Sequence, residues 1–102
     1  MEGFTATYLR GLAFLRARQA REAAAEFDQI IAHPGVSPGS VLWPLSHLGL
    51  GRARALAGNS LASRSGYERF LALWKDADQD LPILQEAKQE YQRLGPVTPP
   101  AR

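Results

Sequence analysis

Displaced by forty residues, the chain aligns with itself. Gly11 falls on Gly51, Ala13 on Ala53, Ala23 on Ser63, Phe27 on Tyr67, Ile30 on Phe70 and Ile31 on Leu71. Self-similarity at such a period marks a supersecondary unit that cannot bury its apolar face alone. Stacking the two units covers both faces, so any fold for this chain must place the matched positions alike.

Each half reads as a pair of helices. Alanine and leucine are abundant and β-branched residues are few, which favours helix over strand. Over 5–17, Tyr8, Leu9, Leu12, Ala13 and Leu15 recur at helical spacing. Over 19–32, Ala20, Ala23, Ala24, Phe27, Ile30 and Ile31 form a stripe opposite Arg21, Glu22, Glu26 and Asp28. His33-Pro34-Gly35 stops that helix, and the proline- and glycine-rich stretch 34–43 is expected to be a loop. A third helix is expected to begin near Pro44, a residue suited to a first turn, and to run to about Ala57. Gly58-Asn59-Ser60 is a turn and cap, followed by a fourth helix carrying Leu61, Ala62, Tyr67, Phe70, Leu71 and Trp74. Asp80 is expected to cap a fifth helix, with Pro82 in its first turn and Leu81, Leu84, Ala87, Tyr91 and Leu94 as its stripe. Residues 95–102 include three prolines and are expected to be a disordered tail. The expected fold class is all-α.

These residues resemble the tetratricopeptide repeat family. A small residue in the first helix of that repeat is followed twelve positions on by another and sixteen on by an aromatic. Gly11, Ala23 and Phe27 keep both intervals, as do Gly51, Ser63 and Tyr67. Leu50 matches the leucine before the glycine, and Gly58 the glycine of the inter-helix turn. Arg10 and Arg18 stand where the first repeat would carry that leucine and that turn glycine, and Ser63 replaces an alanine. The surplus over a period of about 34 residues fits a long loop at 34–43. The resemblance implies an α-α superhelix over 1–94. It has repeat one at about 5–33, repeat two at about 44–75 and a capping helix at about 80–94. The Leu73–Asp78 run with its following helix also resembles C-terminal repeat segments of some bacterial serine/threonine kinases and regulators, from which no catalytic residue carries over.

What the resemblance implies for function is protein–protein association. First helices line the groove of such arrays, which places Tyr8, Leu12 and Arg16 beside Leu48, Arg52 and Ala55 as a partner-binding surface for a protein or peptide. Tyr and Arg are interface-enriched types. The lysine and asparagine set that clamps a terminal carboxylate in some relatives is missing. The open N-terminal end, with Phe4, Tyr8, Leu9, Leu12 and Leu15 spread around the first helix, raises the expectation of a homodimer through that helix.

Composition narrows the alternatives. At 102 residues, 45% hydrophobic and 22% charged, the chain is one ordinary globular domain. The absence of cysteine excludes disulfides, thiolate metal sites and a cysteine nucleophile. No apolar run approaches a membrane span, and Met1–Thr5 lacks signal-peptide features, so a cytoplasmic setting is expected. Asp76, Asp78 and Asp80 alternate like the start of a calcium loop, but Leu81 and Ala87 occupy the positions that need glycine and glutamate. Gly49-Leu50-Gly51 lies within a helical pattern and speaks for close helix packing rather than phosphate binding. His33 and His47 lack partners at ligand spacing. No metal, no cofactor and no enzymatic activity are therefore expected. Arg10, Arg16, Arg18 and Arg21, with Arg52, Arg54, Arg64 and Arg69, leave nucleic-acid binding as the alternative, although acidic neighbours hold the net charge to +2.

Overall fold

A computed structural model describes residues 5–33 and 41–94. They form α1 (Thr5–Arg16), α2 (Ala20–Ile31), α3 (Leu42–Leu56), α4 (Ser60–Leu73) and α5 (Pro82–Leu94). Among the described residues there is no strand. Each helix packs antiparallel on the next, and α1 also touches α3. Most of the 34–43 stretch, Phe4 and the 95–102 tail lie outside the described residues.

Two apolar clusters share α3. In the first, Phe27 and Ala23 of α2 meet Leu50 and Ala53 of α3, with Tyr8, Leu12, Phe14 and Leu15 of α1 packed against them. In the second, Leu48 of α3 meets Tyr67 and Phe70 of α4 and Leu84 and Ala87 of α5. The amphipathic stripe of α5 is therefore what closes the end of the molecule away from α1.

Glycines set how closely these helices approach. A Cβ at Gly11 would lie 2.7 Å from the Phe27 ring, and one at Gly49 would lie 2.5 Å from it. The ring fills a slot bounded by glycine backbone on α1 and on α3, with Tyr8 edge-on at 5.8 Å between centroids. At the α3–α4 crossing a Cβ on Gly66 would stand 2.8 Å from the Gly51 backbone. Ser63 Oγ donates to the Gly51 carbonyl at 2.7 Å, so its buried hydroxyl is satisfied at that crossing.

The two intra-pair turns are copies of each other. Arg18 and Gln19 donate backbone N–H groups to Leu15 and Phe14, as Gly58 and Asn59 do to Ala55 and Arg54. This is the paired bonding that ends a helix on a left-handed residue. Gly58 has φ 85°, and Arg18 adopts φ 61° in the equivalent place. The Asn59 side chain accepts from Ala62 N–H at 3.2 Å, whereas Gln19 makes no side-chain cap.

Two boundaries differ from the sequence-based expectation. Helix α3 begins at Leu42 and not Pro44, because a proline in the first turn removes only an N–H that has no intrahelical partner. Trp43 is tied down there by its Nε1–H, which donates to the Ile31 carbonyl at 3.1 Å. At α5 the expected Asp80 cap is replaced: the Asp78 carboxylate accepts from Asp80 N–H at 2.9 Å, and the Leu81 carbonyl receives Leu84 and Gln85. The Asp76–Asp80 segment is thus a turn folded on its own backbone.

Candidate binding cleft

Helical periodicity on α1 puts Leu12, Leu15 and Arg16 along one flank, and the crossing with α3 brings Arg52 beside them. These four residues line an open cleft of about 320 Å³. Leu12 and Leu15 are half-buried and form an apolar floor, while Arg16 is exposed at the rim. Among the described residues no carboxylate pairs with Arg16. Tyr8, next to the cleft along α1, is half-buried; desolvation raises its hydroxyl pKa, against a smaller lowering by the charge of Arg52.

Arg52 is held from the other side by α5. Its Nε and Nη2 donate to the two carboxylate oxygens of Glu90 at 2.8 and 3.0 Å, and Glu86 lies 3.7 Å away. Tyr67 Oη–H donates to the same Glu90 at 2.7 Å. Burial by itself would raise the Glu90 pKa, but the Arg52 and Tyr67 hydrogen bonds outweigh it and leave the carboxyl below its ordinary value of 4.5. The same burial, reinforced by the anionic acceptor, pushes the Tyr67 hydroxyl strongly upward. A second latch lies beside it: Tyr91 donates to Glu68 at 2.6 Å and accepts from Arg64, whose guanidinium stands 4.5 Å from the Tyr91 ring centre.

Three of the six groove residues read from the sequence, Leu12, Arg16 and Arg52, therefore share one cleft. Leu48 does not: at 1% exposure it is sealed beneath α4 and α5. Ala55 sits half-buried in the last turn of α3, away from the cleft lining. Of the packing residues, Gly11 faces Phe27, Gly51 faces Ser63 and Tyr67, and Ala23 is buried with Phe27. The sequence reading missed Leu15 as part of the floor and the carboxylates of α5. Leu15 was legible, since it stands three residues from Leu12, but the register of α5 was not.

Ion pairs interrupt both arginine sets. Arg10 pairs with Glu26 at 3.1 Å and Arg64 with Glu68 at 3.6 Å, so neither arginine set is a continuous cationic surface. Among the described residues no group of three His, Asp or Glu side chains is placed to hold a metal. No described helix is long and apolar enough to cross a membrane. Comparison with protein-family models, curated proteins and solved structures gives no match.

Proposed function

We propose that this chain is a tetratricopeptide-like module of two helix pairs and a capping helix, binding a protein or peptide segment in the α1–α3 cleft. The observation that carries the reading is an apolar floor of Leu12 and Leu15 beside an exposed arginine with no carboxylate partner among the described residues. A fitting segment places an apolar side chain on the floor and a carboxylate against Arg16. Arg52 contributes its alkyl stem and little free charge, since Glu90 already neutralises it. Selection from a displayed random peptide library tests this. Enrichment of Asp or Glu next to a large apolar residue is expected, with binding lost in Arg16→Glu at unchanged thermal melting. No enrichment, or binders indifferent to Arg16→Glu, overturns it.

A second reading rests on Leu9, which is 57% exposed on the outer side of α1. With Leu12, Ala13 and Arg16 it lines an open slot of about 250 Å³. A second copy of α1 laid across that slot would give a two-fold dimer. Sedimentation equilibrium decides: a single 11.2 kDa species across the micromolar range excludes the dimer, and Leu9→Glu should dissociate it if present.

A further inference from the structure

On the other flank of α3 lies a second pocket of about 310 Å³, between α2 and α4. His47, Leu50 and Arg54 of α3 form its base, Ser65, Gly66 and Arg69 of α4 one wall, and Asp28 and Ile31 of α2 the other. Two features set it apart from ordinary surface. Arg54 and Arg69 both line it, and among the described residues neither has a carboxylate within ion-pair distance. Arg54 reaches the Ala62 carbonyl by a long 3.4 Å bond, and Arg69 lies 5.6 Å from the Trp43 ring centre. The second feature is His47, whose Nε2 is buried without a hydrogen-bond partner. Its ring stands edge-on to Trp43 at 4.7 Å.

We propose that this pocket binds a phosphate group, held by the Arg54 and Arg69 guanidiniums with the Ser65 hydroxyl beside them. A carboxylate presents two oxygens in one plane, the geometry that a single guanidinium fork matches. Two guanidiniums from different helices, with a hydroxyl on the same wall, offer more donors than that and suit a tetrahedral dianion. Asp28 on the facing wall opposes such a ligand, and its negative charge weakens the site, most of all for the doubly charged form. His47 reports on occupancy. Desolvation, then the charges of Arg69 and Arg54, hold its pKa below 6.5. Phosphate between those arginines removes the repulsion and stabilises the imidazolium.

The test follows the His47 ring by NMR while the whole chain is titrated with inorganic phosphate, sodium chloride holding ionic strength constant. A saturable shift of the ring signals and a rise in the His47 pKa are expected. Arg69→Gln should weaken binding at least tenfold, and Asp28→Asn should strengthen it. The Asp28→Asn arm keeps the test decisive if the arginine variants are unstable. N-acetylphosphoserine amide, run in parallel, separates sources: tighter binding than phosphate assigns the site to a phosphorylated side chain, and equal binding to free phosphate. No saturation with either probe, or a response unchanged in Arg69→Gln, overturns the site.

Discussion

Arg18 carries a conformation that glycine holds without cost. Its φ of 61° places a Cβ in the left-handed region, which costs an L-residue roughly 1–2 kcal/mol. The equivalent residue in the other helix pair is Gly58. Arg18→Gly is therefore expected to stabilise the fold by about 1 kcal/mol, part of the gain being returned as unfolded-state entropy. The next residue shows the same imbalance. Asn59 caps α4 through its side chain, whereas Gln19, one methylene longer, makes no cap for α2. Gln19→Asn is expected to add roughly 0.5–1 kcal/mol. Denaturant titrations of the two variants and their combination measure both terms. A lower midpoint for Arg18→Gly would mean that its guanidinium makes an interaction larger than the backbone strain.

At the scale of elements, the helices are spaced by what glycine leaves out. The Phe27 ring is confined by Gly11 and Gly49 together, so it cannot slide away from a methyl group on one side without meeting the other backbone. Gly49→Ala should cost about 1–3 kcal/mol, and Phe27→Leu in the same chain should recover part of it. A double-mutant cycle with no coupling would place the strain elsewhere. Gly66→Ala has no such remedy, because its Cβ would meet backbone atoms of Gly51 and the His47 carbonyl. The α3–α5 latch is expected to be acid-sensitive. Folding lowers the pKa of Glu90, so its contribution is present above pH 4.5 and fades as the carboxyl protonates. His47 acts in the same direction from below pH 6.5, since its folded form favours the neutral ring. Glu90→Gln should cost roughly 1–2 kcal/mol at neutral pH, screening taken into account, and flatten the acid limb of stability against pH below 4.5. Helix existence and order were legible because apolar stripes and Gly/Pro punctuation are local signals. Leu48 was misplaced on an open groove because its burial depends on where α5 docks. No local pattern encodes that, and neither does the pairing of Arg52 with a carboxylate thirty-eight residues away. Gly66 carried a sequence signal, a glycine within an apolar helical pattern, that asks which backbone comes close.

Across the whole molecule, the two apolar clusters are unequal in what they need. The one at the α5 end draws its buried residues from α3, α4 and α5 alone. The other requires α1 and α2 to meet α3, since Phe27 is enclosed only when Gly49 is opposite Gly11. In sequence, the stretch 34–40 joins α2 to α3. A chain cut there is expected to give a C-terminal piece that keeps helical structure by itself and an N-terminal piece that is unfolded alone. Mixed, the two should regain the circular dichroism of the intact protein. A C-terminal piece that is also unfolded would mean that α3 needs both neighbours at once. The shared helix thus gives the chain an unusual kind of divisibility. Residues 5–33 are in effect a ligand for the remainder, packed on α3 around one central aromatic ring and tethered to their own receptor. Produced as separate halves, the protein would assemble conditionally, and its helicity would report whether both halves are present in the same place.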